Sequence, residues 1–199
     1  MSSAIRDVSE TLITLLQTEL SVIVPIPDQI ALISPAEASA NGVRLTLFLY
    51  LITPSSELRN ELEIPGNTID DEPVSQPLDL YYLMTAFSPP QDPTSRTLDA
   101  QLLLGQAMRV FFENGTLTGS VLRGNLPLDE ELRLTLQPIT NEDLTRIWSV
   151  FPETILTASV AYLVTPVRLR STTTRGGQRV VSRQTEFDHI VSLHTEEES

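Results

Sequence analysis

Ten residues, Val43-Arg-Leu-Thr-Leu-Phe-Leu-Tyr-Leu-Ile52, restrict the fold more than any other part of the chain. In a strand, alternate side chains point to opposite faces. One set here is Val43, Leu45, Leu47, Leu49 and Leu51, and the other includes Phe48, Tyr50 and Ile52. Both sets are largely apolar, so the segment reads as a strand covered on both faces, in the middle of a sheet. Asn41-Gly42 supplies the turn that precedes it.

The segments before and after supply the cover. Ile5, Val8, Leu12, Leu15 and Leu16 recur at spacings of three and four, which predicts a one-sided helix from about Ser3 to Leu20, ended by Pro25 and Pro27. Leu78 to Phe87 is apolar and bounded by Pro77 and Pro89-Pro90, and reads as a second strand. Asp92-Pro93 has the chemistry of an N-cap followed by proline at the first helical position. Ala100, Leu103, Leu104, Ala107, Met108 and Phe111 then share one face, and Asn114-Gly115 supplies a left-handed stop. Leu132, Leu134 and Leu136 alternate with Arg133 and Thr135, a strand with one wet face. Thr140-Asn-Glu-Asp143 resembles a capping box with Asp for the usual Glu, opening a short helix with Leu144, Ile147, Trp148 and Phe151 that Pro152 ends. Thr154 to Leu169 reads as a long strand with an edge position or a bend at Pro166. Arg175-Gly-Gly-Gln178 reads as a hairpin turn into Arg179 to Leu193. The expected fold is α+β: a mainly antiparallel sheet with helices packed on one face and a C-terminal β-hairpin arm. The division is a core over 1–170 and an arm with an acidic tail over 171–199. Thr53 to Gln76, with Pro54, Pro65, Pro73 and six acids, reads as a loop that is either disordered or used for contact.

Charge narrows the partners. A net charge of −13 disfavours nucleic acid, whose binding needs a concentrated basic face. No run of about 18 apolar residues exists, so no membrane insertion is expected, and the reading is of a soluble, cytoplasmic protein. All 13 basic residues are arginine, a hint of a salty cytoplasm that the 16 Glu and 10 Asp do not strengthen. Arg168, Arg170, Arg175, Arg179 and Arg183 occur without an acid among them, whereas 184–199 holds five acids and no arginine. That segregation suits either a solvated hairpin or an interaction arm.

Catalytic chemistry finds little to stand on. Without cysteine there is no thiolate nucleophile or thiolate metal site, and without lysine no phosphate-binding G-x-x-x-x-G-K motif. His189 and His194, five apart, fall on opposite faces of a strand and read as exposed, non-ligating residues. Asp79, between Leu78 and Leu80, is either a carboxyl of raised pKa or, more in keeping with its surroundings, a structural group paired with Arg109 or Arg96, or placed at a subunit boundary. Trp148 shares the apolar face of its helix and reads as a core or interface residue. No catalytic residue, metal or cofactor is assigned.

Five blocks in register carry a resemblance: LTLFLYLITPSSELRN at 45–60, PLDLYYLMTAFS at 77–88, LLLGQAMRVFFENGTL at 102–117, LRLTLQPITNEDLTRIWSVF at 132–151 and LTASVAYLVTPVRL at 156–169. They resemble the Pvc16-type tail terminator, or cap, proteins of extracellular contractile injection systems. The chain departs at Phe112-Glu113, where the family often has His-Asp. The resemblance implies a structural protein, not an enzyme, forming a hexameric ring with copies of itself on the baseplate-distal end of an inner tube and anchoring the last layer of sheath. On that reading Arg168, Arg170, Arg175, Arg179 and Arg183 are sheath or tube contacts, and Asp79, Arg96, Arg109 and Trp148 belong to the subunit interface. The competing readings are a baseplate or tube-adaptor subunit, a small ligand-binding domain with Tyr81, Tyr82 and Trp148 lining its pocket, and, third, an enzyme built on Asp79.

Overall fold

The computed structural model describes residues 3–38, 40–55, 75–89, 92–151 and 154–170. The first helix, α1, spans Ala4–Glu19 and buries Val8, Leu12 and Leu16 completely, as its apolar stripe requires. A 3-10 turn at Pro27–Gln29 and a two-residue strand, β1 (Ile30–Ala31), lead through a second 3-10 turn to β2 (Leu45–Pro54). Gly42 takes φ +64° in the turn before β2, where a side chain would be strained. Then follow β3 (Ser75–Ala86), α2 (Pro93–Glu113), β4 (Thr116–Leu117), β5 (Leu132–Gln137), α3 (Asn141–Trp148) and β6 (Ser159–Arg170).

The strands form one sheet in the order β1-β2-β3-β6-β5-β4. Every pairing is antiparallel except that of β1 with β2. The α+β class and the mainly antiparallel sheet agree with the sequence reading. Leu80, Tyr82 and Met84 of β3 point into a core shared with α1, α2 and Val164 of β6, all four residues being fully buried. The Tyr82 hydroxyl shares a 2.8 Å hydrogen bond with Ser9 of α1, and burial pushes its pKa up to about 12, partly offset by that bond. The intervening residues of β3, Tyr81 and Leu83, face the other side, where α3 and its flanks lie. The third helix therefore covers the face opposite α1 and α2.

Local chemistry sets the ends of α2. The Asp92 carboxylate accepts from the Thr94 and Ser95 N–H groups, both at 3.1 Å; its pKa is held below the usual carboxylate value first by a hydrogen bond with the Ser95 side chain and then by these backbone bonds. At the other end Asn114 closes the helix with φ −114°, not in the left-handed region. Its amide side chain and its N–H both donate to the Val110 carbonyl, at 2.9 and 3.1 Å, which makes a left-handed cap unnecessary. Thr140 caps α3 by accepting from the Asp143 N–H at 3.1 Å while donating to the Asp143 carboxylate at 2.6 Å, the Asp version of the capping box.

Three expectations shift. Residues 154–158 are not strand, and β6 begins at Ser159. Pro166, in a cis peptide with Thr165, lies in a strand flanked by β3 and β5, at a register irregularity on the β3 side. It therefore marks a bend and not an edge. Finally, β2 is not central. Its outer side pairs with β1 only through Ile30↔Leu45 and Ala31↔Thr46, and beyond Thr46 that side meets no strand among the described residues. The predicted arm, 171–199, and most of the 53–76 loop lie outside the described residues.

Candidate functional site

The groups singled out from the sequence do not converge. Asp79 is half-buried on β3 and accepts a 2.5 Å hydrogen bond from the Thr165 hydroxyl of β6. An arginine partner from α2 is not what holds it, because alternation along β3 turns Asp79 away from the face on which α2 packs. Arg109 instead binds Glu113 one turn on, at 3.0 Å, with both side chains about half exposed, and donates to Gln106 at 3.1 Å. Arg96 is exposed on the first turns of α2, about 20 Å along the helix from Arg109. Trp148 is buried, 5% exposed, in an edge-to-face series: Phe151 meets Trp148 at 6.1 Å and Phe48 at 5.9 Å. Its indole N–H finds no acceptor among the described residues.

Arg168 and Arg170 have a partner that spacing along the chain does not reveal. Both reach Glu130, at 3.2 and 3.8 Å, and the Glu130 side chain is only 3% exposed. A carboxylate removed from water in this way needs cationic partners. These two arginines therefore act first within the subunit. Arg175, Arg179, Arg183, His189 and His194 lie outside the described residues.

A second unpredicted contact ties α1 to the loop after β4. Asp7, 4% exposed, accepts from the Asn125 N–H at 3.0 Å and from the Ser3 hydroxyl at 2.5 Å. One turn on, Thr11 accepts from the Arg123 N–H at 2.9 Å. Gly124 sits between the two bonds with φ +67°, and a Cβ there would fall 2.3 Å from the Asp7 carboxyl carbon. An acid on the buried side of an apolar helix was the available signal.

Between α3 and the outer face of the sheet runs an open cleft of about 330 Å³, bordered by Tyr50, Tyr81, Gln137, Asp143, Arg146 and Ile147. Tyr81 lies there, but Tyr82 is turned into the core and Trp148 is not among the lining residues, so the three aromatics do not form a common pocket. The Tyr50 pKa is raised, first by burial and then by Tyr81 and Asp143, so its phenol is protonated and can donate near neutral pH. Arg146 is already engaged by Glu142 at 2.9 Å. Among the described residues no group of three or more His, Cys, Asp or Glu could hold a metal ion, and no helix is long and apolar enough to cross a membrane.

What the surface offers is apolar area. On α2, Leu98, Leu102 and Phe112 are 59%, 57% and 87% exposed, and with Gly105 they fall on one line of the helix. A Cβ at Gly105 would meet nothing within 4 Å. No packing within the subunit calls for glycine there, although it costs a helix about 1 kcal/mol relative to alanine. On β2, Leu51 and Ile52 are 45% and 43% exposed beside an outer edge that pairs with no strand among the described residues.

The family model for the Pvc16 N-terminal domain matches residues 7–183. Among solved structures, the chain is similar to the sheath/tube terminator of the extracellular contractile injection system PVC in its extended state, at 17% identity and a TM-score of 0.61. That match covers 94% of this chain and 65% of the terminator, so the chain spans about two thirds of that protein's length. At this identity the likeness is one of fold. A second match, to the anti-feeding prophage tube terminating cap, has 18% identity, a TM-score of 0.42, and covers 71% of this chain and 48% of the cap. No curated protein matches the sequence.

Proposed function

The chain belongs to the Pvc16 N-terminal domain family, and from that premise we propose that it is the terminator of a contractile injection particle, a cap that closes the baseplate-distal end of the inner tube and the sheath. The single observation that carries the reading is the family match over 7–183; the fold shared with a sheath/tube terminator supports it. The working form is a ring of six copies. Each copy contacts its neighbours heterologously, one surface meeting a different surface, and the ring rests on the last layer of tube while holding the last layer of sheath. A cap works by geometry, so it needs stable surfaces and no reacting group.

The surface is suited to this. An apolar line on α2 with an open glycine at its centre lets another backbone approach closely, and exposed apolar patches of this kind mark contact sites. We assign Leu98, Leu102, Gly105 and Phe112 to the ring or tube contact. Arg96 and Arg109, on the same helix, belong to its polar margin. Trp148 and Asp79 support the sheet from within the subunit and act on the interface only through it.

Deleting the gene in the producing cell tests the reading. The expected result is cylinders of scattered length with incomplete sheath. Cylinders of uniform length, each in an intact sheath, would overturn it.

A further inference from the structure

We propose that the cleft between α3 and the outer face of the sheet is a receptor for one arginine side chain presented by another protein. The inference rests on the cleft alone and does not require the terminator reading.

An irregularity in the sheet shapes the cleft. Leu49 of β2 pairs with Tyr82 and Leu51 with Tyr81, so Tyr50 is an extra residue with no partner on β3. A bulge of this kind re-aims side chains, and here Tyr50 and Leu51, consecutive in the chain, both border the cleft. Tyr81 lies beside them, its ring centroid 6.2 Å from that of Tyr50 and the two planes inclined at 57°. From β6 the cleft receives only the methyl group of Ala161, which leaves space that α3 does not fill.

The polar groups around this space have hydrogen-bonding capacity to spare. Tyr50, Tyr81 and Gln137 are half-buried, yet none of their side chains makes a hydrogen bond among the described residues. Asp143 adds a carboxylate. One of its oxygens accepts from the Thr140 hydroxyl at 2.6 Å, while the other has only Arg146, at 3.8 Å, beyond hydrogen-bonding distance. Arg146 is itself held by Glu142 at 2.9 Å, so these two acids and one arginine leave negative charge in excess. That charge reaches the phenol of Tyr50, whose pKa is raised first by burial and then by Tyr81 and Asp143.

The ligand that suits such a lining has an apolar stem and a planar cationic head. Leu51, Ile139 and Ile147 offer contact to the stem. A guanidinium has five N–H donors in one plane and no acceptor. It can lie against tyrosine rings while donating to the free Asp143 oxygen, the Gln137 amide oxygen and the phenol oxygens. An ammonium has no plane to stack, and a carboxylate would be repelled by Asp143. The volume of about 330 Å³ is at the lower end of ligand cavities, roughly 300–1,000 Å³, and the cleft is open. It can hold a side chain whose backbone stays outside, which fits a polypeptide better than a free small molecule. The net charge of −13 likewise favours a basic partner.

The chain's four tyrosines make a test specific to the site, because Tyr82 and Tyr162 are buried in the core and serve as references. Full-length protein with isotopically labelled tyrosine rings is titrated, by nuclear magnetic resonance, with the peptide acetyl-Gly-Arg-Gly-amide. Parallel titrations use the same peptide with citrulline or lysine for arginine, and free arginine. The expected result is saturable movement of the Tyr50 and Tyr81 signals, with a Kd of roughly 1 mM, while Tyr82 and Tyr162 stay in place. Citrulline, which keeps the shape and loses the charge, should bind about tenfold more weakly, and lysine about threefold more weakly. Asp143→Asn, which keeps an acceptor for Thr140, should weaken the arginine peptide about fivefold, and Tyr81→Leu about threefold. Arg109→Gln on α2 should leave it unchanged. Equal binding of the arginine peptide and either analogue overturns the proposal, as does equal movement of all four tyrosines or none at about 20 mM peptide. Unchanged binding in both Asp143→Asn and Tyr81→Leu places the site elsewhere and overturns it too. Free arginine binding about tenfold tighter than the peptide would make the cleft a small-molecule site and end the docking role. None of these failures touches the terminator reading, which the particles themselves decide.

Discussion

Strands β2 and β3 are neighbours with nearly the same apolar composition, yet they meet different surroundings. β3 lies between two strands and keeps Leu80, Tyr82 and Met84 fully buried. β2 begins buried at Leu45 and Leu47 and ends with Leu51 and Ile52 about half exposed, along an edge that no described strand covers. The difference separates two uses of the same side chains. Apolar residues in β3 stabilise the subunit fully, whereas Leu51 and Ile52 at the far end of β2 do so only with the half of each side chain that is covered.

The contrast breaks most sharply at Leu80. Leu80→Ala should destabilise the isolated subunit by about 3 kcal/mol through lost burial and the cavity left behind, read from the midpoint of urea unfolding. A cost below about 1 kcal/mol would mean that β3 is not the centre of the core. On the same buried side, Gly124→Ala should cost about 2–3 kcal/mol, since the new Cβ displaces the Asp7 carboxylate from Asn125 and the backbone is left-handed there. Asp7→Asn should recover little of the loss, because it leaves the crowding in place.

The tyrosines sharpen the comparison through pH. Tyr82 is the neutral phenol in the core, with its pKa raised from 10.0 to about 12. Its contribution is therefore fully present below about pH 10 and is lost as pH rises towards 12, by about 2–3 kcal/mol. Unfolding measured from pH 8 to 12 should show that fall, and Tyr82→Phe should flatten most of it. Tyr50, on β2, has a raised pKa but is only half-buried, so Tyr50→Phe should change the profile less. The smallest expected effect on stability is at the open edge. Ile52→Ser should cost subunit unfolding about 1 kcal/mol, well below Leu80→Ala, while reducing incorporation into particles. Equal effects of Leu80→Ala and Ile52→Ser on unfolding would erase the distinction between the two strands.

Legibility in the sequence followed the range of the interactions. Both ends of α2 could be placed because Asp92-Pro93 and Asn114 act within one helical turn. The strand at Val43–Ile52 could be recognised but not located, since an apolar strand beside a two-residue neighbour leaves the same signature as one at a sheet centre. Asp79 was expected to pair with an arginine or to face a subunit boundary, because an apolar run gives no hint of Thr165, 86 residues away. Glu130 meeting Arg168 and Arg170, and Asp7 meeting Asn125, were illegible for the same reason. Two-residue strands such as β1 and β4 are too short to carry a period at all.

The account turns on this subunit sitting as a closed set of copies at one end of a cylinder. Electron cryomicroscopy of native particles, with this subunit carrying a recognisable tag, measures that directly. The account predicts six-fold density for the tag at the end opposite the baseplate and nowhere else. Tag density at the baseplate end, or repeated along the tube, would contradict it.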